Sequence, residues 1–156
     1  MRLDVFQTLV RARAYGRCEG CGRSGDSQTH HRITRGMGGV QGAAYDASNN
    51  PSNGLRLCVE CHDRTLDAEE VRECIAMGWV IERRSLINAR VVPALIHTVN
   101  GYGWWYLTPA GTFVWADIPP EARICGHAHG AVRLSLPWAP GQEIKIENVE
   151  QLWPQQ

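Results

Sequence analysis

Two Cys-x-x-Cys knuckles constrain this chain more than any other feature: Cys18-Glu-Gly-Cys21 and Cys58-Val-Glu-Cys61, separated by 36 residues. Thiolates are soft ligands, and four of them close the tetrahedral shell of one Zn2+. Cys18, Cys21, Cys58 and Cys61 are therefore expected to form a structural zinc site that staples two distant segments together. The other common use of paired cysteines, a disulfide framework, belongs to exported chains. Met1–Val10 lacks the continuous apolar run of a secretory signal, and no stretch approaches the length of a membrane span. A reducing, cytoplasmic setting without a membrane partner is expected.

If zinc takes the cysteines, the histidines beside them remain for other chemistry. Thr29-His30-His31-Arg32 lies between the knuckles, His62 directly follows the second, and Asn53 stands five residues before Cys58. A hydrophobic content of 44% and six tryptophans suffice for a true core. The formal net charge is zero, which argues against a protein that merely coats nucleic acid, but the charge is uneven. Residues 1–65 hold nine Arg against six Asp plus Glu, net +3, and the remainder carries net −3. The knuckle half is thus the one expected to meet a polyanion. Lys145 is the only lysine among 16 basic residues; guanidinium forks suit phosphate and guanine, although a GC-rich coding sequence gives the same bias.

Local patterns predict an α+β chain. Leu3, Phe6 and Val10 at i, i+3, i+7 predict an amphipathic helix over 2–14, with Arg2, Arg11 and Arg13 turned to solvent and Gly16 as its stop. Residues 27–33 predict a short strand ending in the histidines, a long polar loop follows, and Leu55–Cys58 predicts its hairpin partner. A helix is expected after His62, with Asp67 as N-cap, Glu70 as capping-box partner, Ala68, Val71, Cys74 and Ile75 as its apolar stripe, and Gly78 as its stop. Cys74 reads as a buried small hydrophobe rather than a ligand. Beyond position 78 the pattern turns to β: Trp79–Arg83, Val91–Val99 with an edge at Pro93, then a hairpin of Tyr102–Leu107 and Thr112–Trp115 around Thr108-Pro-Ala-Gly111. Residues 123–136 predict further strand. Trp104-Trp-Tyr106 reads as sheet packing rather than a base-stacking platform.

The order Cys-x-x-Cys, His-His, Asn, Cys-x-x-Cys-His resembles the HNH endonuclease family with its ββα-metal fold. His30-His-Arg-Ile-Thr-Arg-Gly-Met-Gly-Gly39, Asn49-Asn-Pro-Ser-Asn53 and Leu55–Cys58 are most similar to the small HNH proteins of actinobacterial bacteriophages, and the likeness extends over residues 16–115. It implies a zinc-stapled, treble-clef-like ββα module over 1–78, a small β-rich extension over 79–156, and metal-dependent cleavage of DNA phosphodiesters. By position, it makes His30 and His62 ligands of a catalytic divalent cation and His31 the general base. It gives Asn53 the task of orienting loop and base, and Arg32 or Arg35 that of clamping phosphate. The chemistry suits these residue types. A near-neutral imidazole can take a proton from water, a sparsely liganded divalent cation keeps positions for phosphate and leaving oxygen, and arginine can neutralise the transition state.

The family often has Asp where His30 stands, which shifts the expected preference toward borderline ions such as Zn2+, Ni2+ or Mn2+, with Mg2+ still among the candidate catalytic cations. Leu66 occupies a position where many members carry a further histidine. DNA is the expected substrate, phage terminase or other packaging proteins are the partners the resemblance suggests, and no small-molecule cofactor is called for. Two rival readings stay open: a non-catalytic zinc module that holds DNA or a protein, and a site-specific nuclease. Asn53 can also be read as a turn-former in Ser-Asn-Gly, and Cys125, His127 and His129 in Cys-Gly-His-Ala-His as a second metal site.

Overall fold

The computed structural model describes residues 1–34, 42, 45, 48–83 and 88–116. Arg35, the expected strand over 123–136 and the Cys125, His127 and His129 trio lie outside the described residues. Within them the chain is a mixed α/β structure with two small sheets and a cluster of four cysteines.

Helix α1 spans Leu3–Ala14, and its apolar stripe buries Phe6 and Val10 completely. It ends where Tyr15 and Gly16 turn left-handed, at φ 52° and 72°. The strands β1 (Gln28–His31) and β2 (Gly54–Leu57) pair antiparallel, with His30 opposite Leu55 and His31 opposite Gly54. Side chains alternate across a strand, so the two histidines leave β1 on opposite faces. His30 shares the face of Leu55 and Leu57, both fully buried; His31 shares the face of Gly54, on which α1 lies. The close approach of α1 depends on the missing side chain. A Cβ on Gly54 would stand 2.6 Å from Val10 Cγ2 and 2.8 Å from Phe6 Cε2.

Helix α2 (Val59–Arg64) begins at the second knuckle and carries His62, earlier than the helix expected around Asp67. The Asp67 carboxylate does accept the Glu69 and Glu70 amides, at 2.8 and 3.0 Å, and the helix that follows, α3 (Val71–Ala76), is shorter than expected. Its Cys74 is buried, as its place on the stripe implied. Trp79–Arg83 is not a strand. The Trp79 amide turns back to Cys74 O, and that of Ile81 donates to Arg32 O, so no ladder forms here. A second sheet follows in the order β3 (Ala94–Thr98), β4 (Gly101–Leu107), β5 (Phe113–Trp115), antiparallel throughout, and Trp105 and Tyr106 pack within it.

One apolar core joins both halves. Cys18, Leu55, Leu57, Cys61 and Cys74 pack with Trp79, Ala94, Ile96, Trp105 and Leu107. Beside it lies a buried ion pair. Arg13, expected at the surface, is 4% exposed and grips Glu19 with two bonds of 2.8 and 2.9 Å, while also donating to the carbonyls of Pro51 and Gly54. Glu19 in turn accepts the Arg56 amide at 2.7 Å. The pair ties α1 to the first knuckle and to β2.

Candidate metal centre and histidine cluster

The first knuckle is a tight turn in which the Gly22 amide donates to Cys18 O and the Cys18 amide to Arg23 O. The second sits at the start of α2, where the His62 amide donates to Cys58 O. The β-hairpin between them brings the two turns together. All four Sγ atoms lie within 4.8 Å of one another, and Cys21 Sγ is 3.8 Å from Cys58 Sγ. Four sulfurs each about 2.3 Å from one zinc ion stand about 3.8 Å apart at the corners of a tetrahedron, so this quartet could hold such an ion. Backbone amides of Cys21 and Cys58 point at Cys18 Sγ, at 3.5 and 3.2 Å, as amides do where sulfur carries negative charge. Burial raises the Cys61 thiol far above its usual range, and its neighbour Cys18 raises it further. At Cys21 burial acts in the same direction but is outweighed by hydrogen bonds from Arg23 and the neighbouring cysteines, and the thiol falls to about 6. A divalent cation among the sulfurs would offset their mutual repulsion. Among the described residues, this is the only group of three or more metal-ligating side chains.

His30 and His62 meet beside this centre, one from β1 and one from α2. Their rings stand edge to face with centroids 5.3 Å apart. His30 is 6% exposed, and its Nε2 lies 3.0 Å from Trp79 O. A carbonyl only accepts, so Nε2 carries the proton and Nδ1 is the ring's acceptor. Burial lowers the His30 pKa to about 4, with the nearby His62 adding to the effect, so the ring is neutral at pH 7. A neutral imidazole whose N–H is held by a carbonyl is the form in which histidine binds a metal.

His31 faces the other way. Its ring stacks on Phe6 at a centroid distance of 4.7 Å, and its Nε2 lies 3.3 Å from Asn49 Oδ1. Asn53 is buried and stitches the chain after β1. Its Oδ1 accepts the Ile33 amide at 2.7 Å, its Nδ2 donates to Ser48 O at 3.0 Å, and its carbonyl accepts the Arg32 amide at 2.8 Å.

Arg32 cannot clamp phosphate, and the expectation for it is corrected. It is fully buried, and its guanidinium donates to the carbonyls of Gly78, Ser52, Ala89, Val92 and Pro93. Burial lowers its pKa to about 9, which still leaves it a cation at neutral pH. Arg32 is a brace between the end of β1 and the segments that lead into the second sheet. The Trp79 carbonyl, Asn49 and Phe6, which contact the histidines, escaped the sequence reading. Phe6 carried a signal only as a core residue, and nothing in the sequence distinguishes Asn49 from Asn50.

The fold and site define a mixed α/β protein with a four-cysteine centre that could hold zinc and a histidine pair beside it. No helix among the described residues is long and apolar enough to cross a membrane. No family model matches the chain, and neither does any curated protein or solved structure.

Proposed function

We propose that this chain is a metal-dependent endonuclease of the HNH type, hydrolysing DNA phosphodiester bonds. The observation that carries the reading is the His30–His62 pair, 5.3 Å apart across β1 and α2, with a second histidine next to His30 in the chain. A structural zinc module does not need these three histidines. The cysteine quartet holds the hairpin against α2, and so fixes the spacing between His30 and His62. Those two side chains would hold a borderline divalent cation such as Mn2+, Ni2+ or Zn2+; Mg2+ suits imidazole ligands less well. When bound, that ion supplies charge for the phosphate and the leaving oxygen.

His31 is the general base. Its Nε2 lies 3.3 Å from Asn49 Oδ1, and an imidazole that titrates near neutrality suits the removal of a proton from the attacking water. Asn53 keeps the segment after His31 in place by its bonds to Ile33 and Ser48. Arg32 supports this frame from within, and Arg35 remains the candidate for holding phosphate. DNA is the substrate, and partnership with a phage packaging apparatus rests on the resemblance alone.

One observation favours the rival reading, a zinc-stapled binding module: the histidine pair has no third ligating side chain among the described residues. Cleavage of supercoiled plasmid with Mn2+, Ni2+, Zn2+ or Mg2+ separates the two. The nuclease reading expects metal-dependent nicking that falls at least about tenfold in a His30→Ala, His62→Ala double variant, with one zinc per chain retained. Undiminished cutting by that variant, or DNA binding without cutting by the wild type under any metal, would sink it.

A further inference from the structure

The four cysteines of the quartet are not equivalent. Cys18 and Cys61 are 1% and 4% exposed, whereas Cys21 and Cys58 are only half-buried. Cys61 packs in the core with Trp79, and exclusion from water shields a thiolate from oxidants. The two accessible sulfurs come one from each knuckle and stand 3.8 Å apart. Sulfurs in a disulfide lie about 2.05 Å apart, so joining this pair needs a movement of under about 2 Å. Beside Cys58 lies an open depression of about 240 Å³, with Arg23, Asp26 and Glu60 among its walls. Water takes about 30 Å³ per molecule in the liquid, so a small peroxide fits there easily. Arg23 and Glu60 form an ion pair of 2.6 Å across the two knuckles, and Glu60 Oε2 lies 3.6 Å from Cys58 Sγ. The depression therefore sits where the knuckles meet.

We propose that Cys58 and Cys21 form an oxidation site, at which hydrogen peroxide converts their thiolates to a disulfide and the quartet gives up its zinc. In the first step the Cys58 thiolate attacks one peroxide oxygen. The S–O bond forms, the O–O bond breaks, and hydroxide leaves and is protonated by solvent, with a sulfenic acid left on Cys58. In the second step the Cys21 thiolate attacks the Cys58 sulfur. The S–S bond forms, the S–O bond breaks, and a second hydroxide leaves and becomes water. The two sulfurs together lose two electrons, and the peroxide gains them. Cys18 and Cys61 are then the only thiolates left of the four, and two do not close a tetrahedral shell. The site rests on the quartet holding zinc and is independent of the nuclease reading.

The test treats the full-length, zinc-loaded chain with a small excess of hydrogen peroxide. A chromogenic zinc indicator follows release of the ion, and alkylation with peptide mass spectrometry identifies the oxidised cysteines. The expected result is loss of the zinc, one ion per disulfide formed, with Cys21 joined to Cys58 and with Cys18, Cys61 and Cys74 alkylated as free thiols. A thiol reductant with added Zn2+ restores the original zinc content. Cys21→His keeps a ligand, since three cysteines and one histidine also close a zinc site, but it removes the resolving sulfur. In that variant no disulfide forms, and a sulfenic acid is trapped on Cys58.

Zinc retained through the treatment overturns the proposal. So does a disulfide between any other pair, oxidation that reaches Cys18 or Cys61 first, or release of zinc before any thiol is lost. If Cys21→His does not fold, the disulfide map of the wild type still decides. A folded chain that takes up no zinc overturns the zinc assignment and this site together, and is distinguishable because the metal is then missing before peroxide is added.

Discussion

Arg32, Arg13 and Glu19 put three charged side chains where water does not reach. Arg13 and Glu19 neutralise each other, but around Arg32 the hydrogen-bond partners are carbonyl dipoles drawn from residues 52, 78, 89, 92 and 93. A planar fork with five donors can serve acceptors spread that widely; an ammonium with three donors on one atom cannot. Arg32→Lys keeps the charge and leaves buried carbonyls without donors, each costing about 1–3 kcal/mol. A loss of about 3 kcal/mol in urea-unfolding free energy is expected on that basis. A change below about 0.5 kcal/mol, typical of a surface position, would mean that the brace contributes little. The sequence could not show this. An arginine beside a histidine doublet reads as a phosphate clamp because residue type and neighbourhood are all that a sequence offers. Which way the guanidinium points is decided by carbonyls up to 61 residues away. Arg13 was misjudged for the same reason, since its partner Glu19 lies outside the helix whose periodicity assigned it to solvent.

At the scale of elements, what local rules govern was legible and what the meeting of the four cysteines governs was not. The stripe of α1, the pairing of β1 with β2, and the Thr108–Thr112 hairpin turn follow from periodicity and turn chemistry. Helix α2 does not. It has six residues, its N-cap Cys58 makes no side-chain capping bond, and isolated helices of that length are unstable in water. Cys58 and Cys61 bring their sulfurs within 4.8 Å of those of Cys18 and Cys21, so a zinc ion held there would staple α2 in place. Structural zinc in small modules contributes folding energy outright, about 10–16 kcal/mol in finger peptides. Stripping the metal with a strong chelator should therefore cost α2 its order and release His62 from His30. The expected readings are a fall in helical circular dichroism and a red shift of tryptophan emission, since Trp79 packs against Gly20 and shares one buried core with Cys61. Both should return when Zn2+ is restored. A chain that melts at the same temperature with and without chelator would contradict the zinc assignment.

The molecule as a whole is held by a core that ignores the boundary at position 78. Trp79 packs among the knuckles, donates its indole N–H to Leu95 O at 2.9 Å, and offers its carbonyl to His30. Residues beyond the two knuckles thus fix the orientation of a histidine that lies between them. The change to a β pattern expected from residue 79 comes later in the chain, since the first strand of the second sheet begins at Ala94. It could not signal that the new sheet shares the old core, because apolar faces carry no address for their partners. The same limit applies to the histidines. Their presence and order were plain in the sequence, whereas their division between the two faces of one hairpin emerged only with the register of β1 on β2.

The nuclease reading meets its most direct test in the nicking of supercoiled plasmid by zinc-loaded wild type and His31→Ala, side by side, across Mg2+, Mn2+, Ni2+ and Zn2+. A general base contributes about 10²–10⁴ in rate. The account predicts metal-dependent nicking by the wild type, a loss of that size in His31→Ala, and unchanged zinc content in both. Equal cutting by the two proteins, or no cutting by a folded wild type that still binds DNA, would contradict it.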